Sequence, residues 1–377
     1  MYKILTFGMT DNYGGVESVI MNYYRNFNHN KIQMDFLVTT SSEIAYSSEI
    51  KKYKGRIFSV PSRHNAPLAY FKKIREFFKI HAKEYDCFWV NMNNLVNIDY
   101  LKLAKKYGIK RIIIHAHNTQ LMETGIKGEV KKFFHEYNRK KIKKYVTDFW
   151  ACSQEAANWF YEKDSLPKVR IIKNALMEEK YFYNKIDRQD IRKRYNLENM
   201  TVIGNIGRLN YQKNQSFLLD IFKQYLLIDR NAKLLLIGKG EEKRALEEKA
   251  QRLNISSHVI FLGMKKNIKA WYSAFDVFVF PSHFEGLGIV LLEAQANGVP
   301  ILATKGTIPT DVKVNDNLEF ISLSDSPKYW SQKAKKCIDD HMRITNKKTI
   351  ITNFQRNNYD IKLEAKKVEK LFLNNIN

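Results

Sequence analysis

Residues 275–304 read FDVFVFPSHFEGLGIVLLEAQANGVPILAT, and the order of residue types in this stretch decides the architecture. A β-branched and aromatic run, VFVF, stops at Pro281-Ser282; a Gly-rich loop, an apolar helical stretch, a Gly-Val-Pro turn and a second β-branched run follow. Strand, loop, helix, turn, strand is one βαβ unit of a parallel sheet. In an open parallel sheet, ligands sit outside the carboxyl ends of the strands, so the loop 281–288 faces a site. Within that loop Gly286 and Gly288 allow close backbone approach, and a helix starting near Gly288 turns free N–H groups and its positive dipole end toward an anion such as a diphosphate. Glu285 on the loop and Glu293 in the second helical turn lie eight residues apart. A carboxylate only accepts hydrogen bonds, which suits a hydroxyl or diol better than a phosphate. Two such carboxylates around a phosphate cradle describe a nucleotide sugar.

Outward from this stretch, short β-branched or aromatic runs alternate with amphipathic ones, the mark of repeated βαβ units. Strands are predicted at 3–7, 34–38, 56–60, 87–91, 111–115 and 147–151, then at 202–206, 233–237, 258–262, 277–280 and 300–303. Helical spacing falls at 16–27, 68–85 and 128–144. A chain of 377 residues exceeds one ordinary core, and the polar segment 184–199 interrupts the hydrophobic rhythm. The predicted fold class is α/β, with two Rossmann-like domains facing across a cleft, 1–188 and 189–350, and a terminal helix, 351–377, packing back on the first domain.

The pattern E-x7-E inside PSHFEGLGIVLLEAQANGVP closely resembles the donor site of family 4 retaining glycosyltransferases, which have the GT-B fold. Specificity comes from its setting: the Pro-Ser turn before it, the Gly-x-Gly within it and the Ala-x-x-x-Gly-x-Pro after it. The resemblance spans nearly the whole chain. GNIGRLNYQKN, 204–214, is similar to the family's strand and basic loop, which implies that Gly207 lines the donor and that Arg208 and Lys213 neutralise its diphosphate; without a metal, a leaving diphosphate needs such cations. LLLIGKGEE resembles the next strand and its turn at Gly238 and Gly240. VIFLGMKKNI resembles the loop that holds the nucleobase by its backbone, at Met264, Lys266, Asn267 and Ile268. TDNYGGVESVIMNYYRN is similar to the glycine loop, with Gly14 and Gly15 opening a helix toward the phosphates, and IIIHAHN puts His117 where relatives line the sugar pocket. With IPTDVKVNDNLEFISLSDSPKYW, these segments look most like the branch that builds capsular and exopolysaccharide repeat units. The departure is Thr304-Lys305-Gly306, where that branch often has Ser-Asp. The implied donor set is completed by Glu285, Gly286, Leu287, Gly288, Ile289 and Glu293, and the implied catalytic set is His117, Arg208, Lys213 and Glu285. The resemblance further implies a UDP-sugar donor, a lipid-diphosphate-linked saccharide acceptor, retention, and no cofactor or metal.

Ordinary readings stand beside these. Taken singly, Glu293 reads as an exposed helical glutamate, and Arg208 and Lys213 as surface cations of a basic chain. His115 is expected on the opposite face of its strand from His117, in a structural role. Cys87, Cys152 and Cys337 are odd in number and widely spaced, which fits buried thiols and neither a disulfide framework nor a zinc site. The net charge of +24 comes from 63 Lys and Arg against 39 Asp and Glu, and calls for anionic ligands, nucleic acid or acidic lipid. Nucleic acid is set aside, because neither a recognisable binding module nor a base-stacking repeat is visible. A sugar-nucleotide epimerase of the same architecture is the alternative enzyme. GMTDNYGG does not supply the Gly-x-Gly-x-x-Gly of a nicotinamide dehydrogenase. The basic stretch 127–144, KGEVKKFFHEYNRKKIKK, interleaves lysines with aromatics and is predicted as one helix lying on anionic lipid. Neither a signal-peptide h-region nor an apolar run of about 18 residues is present, so a cytoplasmic location is expected, peripheral at the inner membrane face.

Overall fold

The computed structural model describes residues 1–40, 42–121, 125–265 and 267–374. It divides into two compact units, Met1–Ala175 with the helix Ile361–Leu373, and Leu176–Asp360. The first unit carries β1 (Tyr2–Phe7), β2 (Ile32–Val38), β3 (Ile57–Ser59), β4 (Cys87–Met92), β5 (Arg111–Ala116), β6 (Asp148–Ala151) and β7 (Val169–Ile171). They form a parallel sheet in the order β3-β2-β1-β4-β5-β6-β7. The second unit carries β8 (Thr201–Ile206), β9 (Ala232–Ile237), β10 (Val259–Gly263), β11 (Val277–Phe280), β12 (Ile301–Thr304) and β13 (Leu318–Ile321), ordered β10-β9-β8-β11-β12-β13 and likewise parallel. Both orders reverse direction once, at β1/β4 and at β8/β11, and such a reversal is where a doubly wound sheet opens a crevice.

Parallel strands are covered on both faces, so their sequences are apolar almost throughout. Every residue of β11 and β12 is buried, as are Leu234, Leu235, Leu236 and Ile237 of β9. Two strands absent from the predicted set are β7 and β13. Both are short edge strands with half-exposed patterns, VRI and LEFI, which lack the buried run that marks their neighbours.

The boundary between units falls at Ala175/Leu176 and not near residue 188, because the charged segment 184–199 is anchored in the second unit. Its helix Lys185–Arg194 sends Arg188 and Arg192 onto the two oxygens of Asp276, each at 2.6 Å. Arg188 also donates to the carbonyls of Ser273, Ala274 and Phe275, the open C-terminal end of the helix Ile268–Ala274. Burial pushes the Asp276 carboxyl up, but the two guanidiniums outweigh it and hold the group below the usual carboxylate range. Asp276 in turn accepts from the Val202 N–H at 2.8 Å and so ties the start of β8 beside β11. The last helix, Ile361–Leu373, belongs to the first unit, and the preceding Lys347–Arg356, which overlaps the expected terminal segment 351–377, is a helix of the second unit.

The predicted helix 127–144 is also corrected. It runs Gly125–Arg139, and a separate 3-10 turn occupies Ile142–Lys144. Cys87, Cys152 and Cys337 are buried free thiols. Among the described residues no helix is long and apolar enough to cross a membrane.

The helix Ile289–Asn297, which follows the Gly-rich loop, is stopped by Gly298 at φ 79°. A Cβ there would lie 1.8 Å from the carbonyl oxygen of Ile344, which is backbone and cannot swing aside. Gly306 has a similar φ of 83° but open space around it. Gly298→Ala is therefore expected to cost at least about 2 kcal/mol in urea denaturation, and Gly306→Ala distinctly less. Equal losses would mean that backbone strain alone matters at Gly298.

Candidate active site

The loops that leave β8 and β11 meet outside the carboxyl ends of these neighbouring strands. Lys213 closes a 3-10 turn, Tyr211–Lys213, and donates its own N–H to the Asn210 side chain at 3.3 Å. From there its ammonium reaches the Glu285 carboxylate at 2.6 Å and sits 4.8 Å from the Phe280 ring centroid. Both side chains are largely buried, at 15% and 6% exposure. The Glu285 N–H donates to the Thr307 carbonyl at 3.1 Å, Gln212 donates to the Phe284 carbonyl at 3.0 Å, and the His283 N–H returns to the Gln212 carbonyl at 2.8 Å. The loop after β12, which begins with Lys305-Gly306, thus braces the backbone of Glu285. Two residues named from the sequence, Lys213 and Glu285, are brought together as one ion pair.

Glu293 is not an exposed helical glutamate: it is buried, and its two oxygens accept from Tyr181 at 3.0 Å and Tyr272 at 2.7 Å. Burial pushes its carboxyl up to about 7, against the lowering effect of the two hydroxyls. The sequence reading missed both tyrosines. Tyr181 ends the short turn Glu178–Tyr181 and Tyr272 sits in the helix Ile268–Ala274, and neither stands in a motif read from the sequence.

Arg208 is exposed, and its guanidinium lies 3.1 Å from the equally exposed Glu241. Gly207, Gly238 and Gly240 pack the loops after β8 and β9 together. A Cβ on Gly238 would meet the Gly207 carbonyl oxygen at 1.9 Å, and one on Gly240 the Leu209 carbonyl oxygen at 2.0 Å. The close approach these glycines permit is backbone to backbone. Gly286, Leu287 and Ile289 are buried, and Gly288 takes the left-handed φ of 84° from which the helix starts. Met264 and Asn267 are exposed beyond β10, with Ile268 opening the next helix; Lys266 lies outside the described residues.

In the first unit, Gly14 and Gly15 open the helix Gly15–Asn26 beyond the carboxyl end of β1. The helix's own Glu17 folds back over this turn, where a Cβ on Gly14 would meet its Oε2 at 2.6 Å. Burial raises the Glu17 carboxyl, while the Thr10 hydroxyl and backbone N–H groups counter the shift. His117 is buried just past β5, with Nε2 2.9 Å from Asn91 Oδ1. Burial pushes its imidazole down to about 3. His115 does not point to the opposite face: its ring centroid lies 4.1 Å from that of His117. Residues two apart on a strand share a face, so both imidazoles enter one aromatic cluster with Trp89 and Trp150. Burial holds His115 well below the usual histidine range too.

Residues 187–355 match the family described as Glycosyl transferases group 1. EpsF of Bacillus subtilis (strain 168), a glycosyltransferase by name, is 29% identical over 329 residues, covering 85% of this chain and 84% of EpsF. CapM of Staphylococcus aureus, a capsular polysaccharide biosynthesis glycosyltransferase, is 29% identical over 219 residues, 55% of this chain and 57% of CapM. The crystal structure of Anabaena Alr3699/HepE in complex with UDP and glucose has the same fold, with a TM-score of 0.80 at 16% identity over 98% of this chain and 99% of that one. The two parallel-sheet units are those of the GT-B class. Residues 187–355 are a group 1 glycosyltransferase domain, and the chain is a glycosyltransferase.

The buried imidazoles generate a pH prediction. With a folded pKa depressed to about 3 for His117 and an unfolded value of about 6.5, the unfolded chain binds more protons between those limits. The stability tied to His117 is therefore complete above about pH 6.5 and falls as the pH drops toward 3. In urea denaturation, the advantage of wild type over His117→Gln is expected to shrink between about pH 7.5 and pH 5. A pH-independent advantage would show that folded His117 takes up protons freely.

Proposed function

We propose that the chain transfers a hexosyl group from a UDP-activated sugar to a hydroxyl of a lipid-diphosphate-linked saccharide, with retention and without a metal, in the assembly of a capsular or extracellular polysaccharide. The observation that carries this reading is the Lys213–Glu285 pair at the β8/β11 crevice, beside a helix that starts at Gly288. It places one cation, one acceptor and one helix N-terminus together, the groups that a sugar diphosphate requires. The polysaccharide setting is supported by the names of CapM and of the amylovoran biosynthesis glycosyltransferase AmsD of Erwinia amylovora. The UDP-sugar is supported by the complexes of HepE.

In this reading the first unit takes the acceptor and the second the donor. The bond from the anomeric carbon to the diphosphate oxygen breaks, the acceptor oxygen bonds to the same face of that carbon, and the acceptor proton leaves with the diphosphate. Lys213, Arg208 and the helix end at Gly288 stabilise the departing charge. Glu285 holds sugar hydroxyls and Glu293 the ribose diol. For Lys213 and Arg208 to serve a diphosphate, each must exchange a carboxylate partner for it. Purified protein incubated with UDP-, GDP- and ADP-sugars, with EDTA present, is expected to turn over a UDP-sugar. Glu285→Gln and Arg208→Ala should lower that turnover about 100-fold or more with the fold intact. Near-wild-type turnover in either variant would overturn the assignment, and EDTA-sensitive turnover would overturn the metal-free reading.

The membrane component of this proposal rests on the helix Gly125–Arg139. Its buried positions are small or polar, Gly128, His135 and Asn138, and the latter two bond to the backbone of Leu95. Its apolar stripe faces outward instead: Ile126, Val130, Phe133, Phe134 and Tyr137 are all exposed, Ile126 at 86% and Phe133 at 67%. A surface helix normally buries such a stripe. An outward aromatic stripe among Lys127, Lys131, Lys132 and Lys140 fits an anionic lipid surface. Sedimentation with anionic liposomes at low salt should capture the protein, and Phe133→Glu should weaken capture. Failure of wild type to sediment would refute the contact.

A further inference from the structure

We propose that Tyr181 and Tyr272 are positioning residues that fix the Glu293 carboxylate so that its remaining lone pairs accept both hydroxyls of a ligand's vicinal diol. The inference rests on the donor reading above and adds to it the groups that make Glu293 competent for that task. An ionised carboxylate has about four lone-pair sites. One on each oxygen is taken, by Tyr181 at 3.0 Å and by Tyr272 at 2.7 Å, which leaves each oxygen a further site. A vicinal diol presents two O–H groups at a fixed spacing, and two oxygens of one locked carboxylate match it.

The two hydroxyls come from different directions. Tyr181 ends the 3-10 turn Glu178–Tyr181, and Tyr272 lies in the helix Ile268–Ala274. Tyr272 is fully buried, and its hydroxyl also approaches the Val290 carbonyl at 3.3 Å, one turn before Glu293. The 3-10 turn is itself pinned, since Asn297 of the Glu293 helix donates to the Tyr181 carbonyl at 2.9 Å and to the Ser273 hydroxyl at 3.0 Å. Among the described residues no cation pairs with Glu293. Its orientation therefore depends on neutral hydroxyls, and burial raises its carboxyl to about 7. Each hydroxyl opposes that rise and favours the ionised, acceptor-only form.

The test compares two probes, UDP and its 2′,3′-dideoxy counterpart, by calorimetry on wild type, Tyr272→Phe and Tyr181→Phe. Phenylalanine keeps the ring and removes only the hydroxyl. Wild type should bind UDP at least about tenfold more tightly than the dideoxy probe. Tyr272→Phe should lose about tenfold for UDP and almost nothing for the dideoxy probe. Tyr181→Phe should show the same selective loss. Equal losses for both probes would mean that the tyrosines only stabilise the site, and no loss would mean that they are dispensable; either overturns the positioning role. If wild type binds both probes alike, or binds neither, the assignment of Glu293 to the donor fails first, and the proposal falls with it.

Discussion

The second unit depends on one pairing, that of β8 with β11, because it sets two loops of distant sequence side by side. Val277 is opposite Ile203 and Phe278 opposite Gly204, and Asn205 extends the seam by donating to the Val279 carbonyl at 2.8 Å. Gly204 is a requirement of this pairing. A Cβ at that position would lie 2.3 Å from the Phe275 ring, which is itself fully buried. Asp276, held by Arg188 and Arg192, fixes the entry of β11 against the first residues of β8. With the strands parallel and their starts locked, both exits fall at the same edge. Lys213 and Glu285, 72 residues apart, can then touch.

The charge of the chain acquires two meanings from this arrangement. Where cations are buried they are used up locally. Arg192 is 8% exposed and spends its donors on Asp276 and on the carbonyls of Ala274, Leu197 and Met200. Such a group must be paired where it stands, since an unpaired buried charge is costly. Exposed pairs such as Arg244–Glu248 or Lys243–Glu247 contribute little to stability. What remains is a field over the surface, and it is concentrated where the helix Gly125–Arg139 also turns its aromatics outward.

Much of this was legible in the sequence where one short window carries the physics. VFVF and LLLI are strands on sight, because a strand buried on both faces has no room for polar side chains. The Gly-rich loop and its helix could be placed, and so could Lys213 and Glu285, each from its own motif. What escaped depends on partners far away. The charged segment 184–199 reads as a break in the hydrophobic rhythm, because Asp276, which receives Arg188 and Arg192, is remote in sequence. Glu293 was placed by its motif, but no signal near it announces Tyr181 or Tyr272. The placement of His115 failed for a different reason: period two puts alternate residues on one face, and the ring contact with His117 follows from that rule.

The two glutamates of the motif illustrate how one spacing serves two chemistries. Glu285 faces a cation at 2.6 Å, so any anion that approaches Lys213 competes with Glu285 for it. A ligand carrying both phosphate and hydroxyl groups satisfies this pair as a whole: its anion replaces the carboxylate at Lys213, and its hydroxyl replaces the ammonium at Glu285. Neither charge is then left unpaired in a largely buried place. Glu293 faces two hydroxyls, and an approaching anion gains nothing there, whereas an approaching hydroxyl joins an existing set of O–H donors. On the proposed donor reading, selectivity for a ligand with phosphate at one end and diol at the other therefore does not need a larger pocket or further charges. It follows from giving each carboxylate a different kind of partner on the same loop and helix.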